Sequence, residues 1–272
     1  MNQGFSSQRH KGLLRHRRES AVVDTQIKAS KDSWVFRNSH IENMHLTFKR
    51  VLPKGEQSLR GYLKRILEHR KKKGGAVGIE FGGPGDQVFY PIGDNLFKKT
   101  AGVTLIQSDA IKYIPKELRE YSTQEYDDKN HEIIIGDILD PHTYDRIRTW
   151  LRGDKADVII ERLLAGFKVN PEEHYLVAKT FERWYEMLAE EGVMFVQVPW
   201  WAHDVVYKWV SQVQSKYGGS RWRLIKPVLE VQYSYMNDEH KRQSSDGDSQ
   251  RASVMRLRKL KGAPLKLPQL VQ

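Results

Sequence analysis

The 272-residue sequence contains no cysteine. This absence excludes disulfide bridges, zinc–thiolate centres and cysteine nucleophiles, and it fits a reducing compartment. Long apolar runs are absent as well: none approaches the roughly 20 residues that a membrane-spanning helix needs, and residues 1–20 lack the apolar core of a secretory signal. The sequence therefore predicts a cytoplasmic protein. Mitochondrial import is a minor alternative, because residues 1–18 contain Arg and Ser but no Asp or Glu.

Acidic residues are in the minority, and the formal net charge at pH 7 is +11. Much of the excess lies near the two ends of the chain, and the middle is closer to balance. The basic residues of the ends include Arg9, Lys11, Arg15, Arg17, Arg18, Arg251, Arg256, Arg258, Lys259, Lys261 and Lys266. Such ends attract polyanions, so one interpretation is that they contact RNA or DNA. The other is that they are solubilising segments.

The chain divides into four predicted regions. Residues 1–33 are polar and charged without sustained periodicity, which predicts a disordered basic arm. Residues 34–56 hold enough apolar side chains to dock on a domain or to cover a pocket as a lid. Residues 57–262 are predicted to form one domain, large enough to bury a core without covalent support. Residues 263–272 are predicted to be a short tail.

Within the predicted domain, short apolar runs alternate with stretches of helical periodicity. Helices are expected over residues 57–73, 141–151, 171–188 and 203–217, and strands over residues 76–81, 102–106, 131–138, 156–163, 192–198, 222–235 and 253–260. Alternation of this kind indicates a mostly parallel sheet with helices on both faces. No helix separates the last two strands, so they are expected to form an antiparallel hairpin. The predicted fold class is therefore α/β, Rossmann-like, with seven strands.

A glycine-rich segment, GIEFGGPGD at residues 78–86, follows the core of the first strand. Glycine lets the backbone approach a ligand closely and adopt dihedral angles that side chains disfavour. Ligands of open α/β sheets bind beyond the carboxyl ends of the strands. Glu80 could accept a hydrogen bond from a hydroxyl or ammonium group of such a ligand, or it could simply close the turn. The segment predicts a ligand site at this edge of the sheet.

This order of elements resembles that of class I S-adenosylmethionine-dependent methyltransferases, over roughly residues 57–261. The likeness comprises a helix, a strand that ends in an acid, a glycine-rich turn and a final hairpin. It implies S-adenosylmethionine as cofactor, with Asp137 beside the adenine amine and Ile138 against the adenine ring. The cofactor-binding residues implied are Glu80, Gly82, Gly83, Gly85, Gln107, Asp109, Asp137 and Ile138.

Two features depart from the pattern of these methyltransferases. The glycine turn is one residue shorter than usual, and Gln107 replaces the acid expected at the end of the second strand, with Asp109 two positions later. An amide oxygen can still accept hydrogen bonds from ribose hydroxyl groups. The departures keep a second hypothesis open: an inactive methyltransferase-like module that binds RNA or a protein partner. A nicotinamide oxidoreductase is disfavoured, because its fingerprint needs wider glycine spacing.

Methyl transfer from a sulfonium requires mainly in-line positioning and exclusion of water, so few catalytic residues are expected. Glu161 and Arg162, at the end of the fourth strand, are implied to face the transfer site. His203 beside Asp204 is a candidate general base, or only a residue at the start of a helix.

The acceptor is not determined by the sequence, and a small molecule and RNA both fit. Trp200 and Trp201, after the fifth strand, are candidates for stacking a planar acceptor or for sealing the edge of the core. No spacing of His with acidic residues indicates a metal site.

Overall fold

The computed structural model describes residues 41–83, 85–93, 95–104, 130–136, 138–161, 174–198, 202–220, 225–235 and 253–270. The predicted arm over residues 1–33 lies outside the described residues. So do six of the predicted site residues: Gln107, Asp109, Asp137, Arg162, Trp200 and Trp201.

Six helices and seven strands are described. The helices are α1 (Ile41–Phe48), α2 (Leu59–Lys71), α3 (Asp86–Phe89), α4 (Pro141–Leu151), α5 (His174–Met187) and α6 (His203–Tyr217). The strands are β1 (Ala76–Phe81), β2 (Phe97–Thr104), β3 (His131–Ile135), β4 (Ala156–Glu161), β5 (Leu188–Val198), β6 (Leu229–Tyr235) and β7 (Ser253–Lys259). Two short 3₁₀ turns cover Lys49–Val51 and Tyr90–Ile92. Among the described helices, none is long and apolar enough to cross a membrane.

All seven strands form one sheet in the order β3-β2-β1-β4-β5-β7-β6. Strand β1 pairs in parallel with β2 and β4, and the parallel ladder continues to β3 and β5. Strand β7 lies antiparallel between β5 and β6. The predicted Rossmann-like fold with an antiparallel C-terminal hairpin is confirmed.

Strand β2 begins at Phe97, five residues before the predicted start. The two lysines that follow Phe97 interrupt the apolar pattern, so the sequence did not indicate this part of the strand. Lys99 Nζ donates to the carbonyl oxygens of Trp150 and Leu151 at the end of α4, at 3.1 and 2.8 Å. Lys98 Nζ lies 2.7 Å from Asp154 Oδ1. The ammonium groups of both lysines therefore have polar partners, while their aliphatic chains extend from the strand.

The helices cover both faces of the sheet. Helices α1 and α2 pack on one face, and α4, α5 and α6 pack on the other. The Ser58 hydroxyl accepts a hydrogen bond from Gly61 N at 3.0 Å and so caps the start of α2. In α1, Ile41, Met44 and Phe48 are fully buried. The described part of the predicted docking segment is thus built into the core of the domain.

The predicted C-terminal tail also packs against the domain. Trp209 Nε1 donates to the Pro268 carbonyl at 2.8 Å, and the Tyr185 hydroxyl donates to the Pro264 carbonyl at 2.6 Å. Leu270 is buried in the core. Just before the tail, Arg256 and Lys259 lie buried in β7. These two cations are therefore not part of a free basic end.

A buried ion pair joins α2 to the amino edge of the sheet, where the parallel strands begin. Asp157, the second residue of β4, lies 2.8 Å from Arg70 Nε, and its other oxygen accepts a hydrogen bond from Val77 N at 2.9 Å. Both side chains are largely excluded from water. The carboxylate thus connects β4, β1 and the last turn of α2.

We expect Asp157→Ala to lower the free energy of unfolding by about 3–5 kcal/mol, because it leaves a buried guanidinium without its counter-ion and the Val77 amide without its acceptor. Asp145→Ala is the matched control, since Asp145 makes an exposed ion pair with Arg148 at the same 2.8 Å distance. Removing it should cost less than about 1 kcal/mol. Urea unfolding of the three proteins measures the difference. Equal destabilisation by the two variants would contradict a structural role for the buried pair.

Candidate functional site

The turn that follows β1 is closed by the side chain of the acid that precedes it. Gly85 N donates to Glu80 Oε2 at 2.6 Å, and the Glu80 side chain is fully buried. Gly82 N donates to the Val103 carbonyl of β2 at 2.8 Å. The glycine turn (residues 80–85) is therefore attached both to its own strand and to β2.

Two positions in this turn have a backbone that favours glycine: φ is 89° at Gly82 and 86° at Gly85. A Cβ at Gly85 would also lie 2.9 Å from the carbonyl carbon and oxygen of Ala101. A side chain at Gly83 would overlap the carboxylate of Glu80. The glycines thus allow the turn to lie directly on β2 and on the Glu80 carboxylate. Contact of any of these residues with a cofactor stays a prediction.

Ile138 lies after the end of β3, which stops at Ile135, and not within that strand as the sequence predicted. Its side chain is buried in the core. Its carbonyl oxygen accepts hydrogen bonds from the Tyr144 hydroxyl at 2.7 Å and from Thr180 Oγ1 at 3.5 Å. These contacts hold the loop at the carboxyl edge of β3, where the parallel strands end. Packing of Ile138 against adenine stays a prediction.

Glu161, the last residue of β4, is a second buried acid at the carboxyl edge. Its Oε2 accepts a hydrogen bond from Gln197 N of β5 at 3.2 Å. Burial raises the pKa of the Glu161 carboxyl well above its usual range, and the hydrogen bond from Gln197 offsets this only in part. The raised pKa favours the protonated form, which suits hydrogen-bond donation better than proton abstraction.

The raised pKa of Glu161 predicts a pH dependence of stability. Above the ordinary value of about 4.5, the unfolded carboxyl loses its proton while the folded carboxyl keeps it. The free energy of unfolding contributed by Glu161 therefore falls as pH rises from about 4.5 to the folded-state pKa. Glu161→Gln removes this dependence but keeps an acceptor for Gln197 N. We expect urea unfolding to show that the stability of wild type relative to Glu161→Gln falls between pH 5 and pH 8. A difference that does not change with pH would contradict the assignment.

His203, at the start of α6, contacts the C-terminal hairpin. Its Nδ1 lies 2.7 Å from the Tyr233 hydroxyl and 2.9 Å from Ser253 Oγ. These hydroxyl groups, and not the carboxylate of Asp204, are the hydrogen-bond partners of the ring among the described residues. Burial raises the pKa of Tyr233 to about 12, so its phenol remains protonated at neutral pH. In the tautomer with the proton on Nε2, Nδ1 accepts a hydrogen bond from that phenol.

Two further tyrosines surround the His203 ring. The ring of Tyr207 stacks on it with a centroid distance of 6.2 Å, and the ring of Tyr235 meets it edge-on at 4.9 Å. Their exposed fractions are 56% and 36%. We call His203, Tyr207, Tyr233, Tyr235 and Ser253 the His203 cluster. The sequence analysis missed the tyrosines, although Tyr207 follows His203 by one helical turn and Tyr233 and Tyr235 share a face of β6.

The His203 cluster and the glycine turn lie at the same edge of the sheet. Strands β5 and β6 end there, β7 begins there, and α6 starts there after β5. Three strand spacings separate β1 from β7, which is about 14 Å at ~4.8 Å per spacing. Glu161, on the intervening strand β4, lies between them. One edge thus combines the glycine turn, a buried acid and an aromatic cluster.

The sheet has the helix, the strand, the glycine turn and the hairpin on which the resemblance was based. Helix α2, a strand ending near the acid Glu80, a glycine turn and the β6–β7 hairpin occur in that order on a sheet of the order β3-β2-β1-β4-β5-β7-β6. The chain has the class I methyltransferase fold. The antiparallel β5–β7–β6 ending distinguishes this methyltransferase fold from a fully parallel doubly wound sheet.

Solved structures of methyltransferases superpose on this chain. It is similar to an rRNA methylase from Streptococcus thermophilus, with 13% identity, a TM-score of 0.43 and coverage of 74% of this chain and 94% of that one. For an N-methyltransferase from Bradyrhizobium japonicum these values are 13%, 0.38, 74% and 96%. For an O-methyltransferase from Bacillus cereus in complex with SAH they are 11%, 0.38, 85% and 91%. No protein-family model and no curated protein matches the chain.

Proposed function

We propose that the chain is an S-adenosylmethionine-dependent methyltransferase, with its cofactor over the glycine turn and its acceptor at the same edge. The observation that supports this most directly is the closure of the turn by the hydrogen bond from Gly85 N to Glu80. It fixes a turn with three glycines at the carboxyl end of β1, where open α/β sheets bind ligands.

The residues of the turn fit the proposed cofactor. Gly82, Gly83 and Gly85 place no side chain between the strand end and a ligand, and Glu80 is buried directly against Gly83, where an acidic group suits a cationic group nearby. Ile138 lies at the neighbouring edge of β3, on the side where the resemblance places adenine. When bound, S-adenosylmethionine supplies an electrophilic methyl group on a sulfonium.

The chain's own residues would then position the acceptor and handle its proton. Glu161, whose raised pKa favours the protonated form, is suited to donate a hydrogen bond at the end of β4. An imidazole is a suitable general base at neutral pH. In the tautomer with the proton on Nδ1, that nitrogen donates to the Tyr233 or Ser253 hydroxyl oxygen and Nε2 keeps its lone pair. No described residue hydrogen-bonds Nε2, which is therefore the nitrogen that would face an acceptor. A base is needed only where the acceptor atom loses a proton on methylation.

A matched pair of glycine substitutions tests the cofactor site. Gly85 and Gly153 have φ of 86° and 88°, but a Cβ at Gly153 meets no atom within 4 Å, whereas one at Gly85 overlaps Ala101. Both alanine variants incur about 1–2 kcal/mol of backbone strain. We expect Gly85→Ala also to displace the turn and to weaken binding of S-adenosylhomocysteine at least about tenfold. Gly153→Ala should bind like wild type.

Isothermal titration calorimetry on folded samples measures these affinities, and circular dichroism checks the fold of each variant. Binding by wild type and Gly153→Ala, with weaker binding by Gly85→Ala, supports the proposal. Absence of heat with both S-adenosylmethionine and S-adenosylhomocysteine in folded wild type would contradict it. The remaining candidate would then be the inactive module that binds RNA or a protein partner.

A further inference from the structure

The positive charge of the folded part of the chain is concentrated in residues 41–73, chiefly on helix α2 and in the segment between α1 and α2. Residues 41–73 contain ten Lys and Arg but only three Asp and Glu, whereas residues 76–161 contain 16 acidic and ten basic side chains. The middle of the chain is balanced as predicted, since residues 19–250 contain 34 basic and 34 acidic side chains, but its cations are concentrated in residues 41–73. These helices belong to the domain core, so their charge has a fixed position relative to the candidate site.

Five of these cations, which we call the basic face, lie between the last turn of α1 and the middle of α2: Lys49, Arg50, Lys54, Arg60 and Lys64. All five side chains are exposed. Helix α2 buries Leu59, Leu63 and Leu67 towards the sheet, which turns Arg60 and Lys64 outward. Like charges at positions i and i+4 of a helix repel each other. Arg60 and Lys64 stand in that relation, and neither makes an ion pair with any residue in the described part of the chain.

The basic face lies towards the carboxyl edge of the sheet. Helix α2 runs antiparallel to the parallel strands, because its last turn binds Asp157 near the start of β4. Its first two turns, with Arg60 and Lys64, therefore lie towards the opposite edge. Arg50 Nη1 donates to the carbonyl oxygen of Tyr235, the last residue of β6, at 3.1 Å. The basic face thus reaches the backbone of the His203 cluster.

Exposed aromatic rings beside clustered cations are the combination that single-stranded nucleic acids require. Cations neutralise successive phosphates, and aromatic rings stack on unpaired bases. Tyr207 and Tyr235 supply exposed rings on either side of His203, and the basic face supplies the charge on the other side of the β6–β7 hairpin. A duplex does not fit this arrangement equally well, since its bases are stacked on one another.

We propose that the methyl acceptor is a single-stranded nucleic acid. Its phosphates lie along the basic face, and its bases stack on the exposed rings of Tyr207 and Tyr235. The role of the nucleic acid as methyl acceptor rests on the proposed methyltransferase function. Its binding to this surface is tested without any transfer reaction. It places the contact on the folded domain, not on the basic ends of the chain.

Fluorescence anisotropy of the full chain with labelled 20-nucleotide RNA and DNA single strands, and with the corresponding duplexes, tests the surface. The test variant is Arg60→Glu/Lys64→Glu. The control is Lys72→Glu/Lys73→Glu, which changes the net charge equally at the amino edge. We expect the test variant to bind at least about tenfold more weakly. A plot of log association constant against log salt concentration should become less steep by about 1.4, which is ~0.7 for each phosphate that is no longer neutralised. The control should weaken binding less than about threefold.

Tyr207→Ala tests the stacking contact separately and should weaken single-strand binding by about tenfold, with the salt slope unchanged. The RNA and DNA arms show which nucleic acid is preferred. The inference would be overturned if the test and control variants weakened oligonucleotide binding equally, or if duplexes bound more tightly than single strands. Absence of wild-type binding at 50 mM salt would also overturn it. So would binding of phosphatidylserine vesicles that depends on Arg60 and Lys64 when oligonucleotide binding does not.

Calorimetry with S-adenosylhomocysteine on the same samples separates the two proposals. If wild type binds S-adenosylhomocysteine but no oligonucleotide, the acceptor assignment fails and the methyltransferase proposal stands. If wild type binds oligonucleotides through the basic face but neither cofactor form, the methyltransferase proposal fails and the surface belongs to a nucleic-acid-binding module.

Discussion

The carboxylate of Glu80 accepts a hydrogen bond from the amide of Gly85, and the geometry of the carboxyl edge depends on this contact. The acid is the next-to-last residue of β1, which is buried throughout, and the amide lies five residues later, where the chain returns to the sheet. This contact and the hydrogen bond from Gly82 N to the Val103 carbonyl hold the turn close to β2. A Cβ at residue 85 would therefore overlap the backbone of Ala101. The same contact brings a buried acid and a turn with three glycines to one place.

The two edges of the sheet have different roles. At the amino edge, charged side chains are paired with each other or with helix ends: Asp157 with Arg70, Asp154 with Lys98, and Lys259 with the carbonyls of Tyr185 and Leu188. These contacts hold helices to strands. At the carboxyl edge, Glu161 has one backbone partner, and the His203 ring meets hydroxyl groups and exposed tyrosines. The chemistry that suits a ligand is therefore concentrated where the strands end.

The fold was predictable from the sequence because its signals are local. Alternation of short apolar runs and amphipathic helices indicated the sheet, and the glycine segment marked the end of β1. The start of β2 was not predictable in this way, because Lys98 and Lys99 look like loop residues until the end of α4 is present to bind them. The packing partners of residues 41–56 and 263–270 could not be identified from the sequence for a related reason: each segment packs on elements distant in the sequence.

The same distinction between local and distant signals applies to the candidate site. Gly82 and Gly85 were found because a turn with positive φ requires glycine, a property that the sequence displays directly. The partners of His203 were not found, since Tyr233 and Ser253 are 30 and 50 residues away and meet it only through the β6–β7 hairpin. Tyr207 and the basic face did have local signals: Tyr207 follows His203 by four residues, and Lys64 follows Arg60 by four. These spacings indicate a site only once the position of the carboxyl edge is known.

Hydrogen–deuterium exchange of the full chain, with and without S-adenosylhomocysteine, tests most directly whether the glycine turn is the cofactor site. Binding there should slow exchange at residues 81–89 and leave residues 152–157, at the amino edge, unchanged. Protection of the turn with an unchanged amino edge is the result that a cofactor at the carboxyl end of β1 predicts. Unchanged exchange at the turn with saturating ligand, or protection at the amino edge instead, would contradict it.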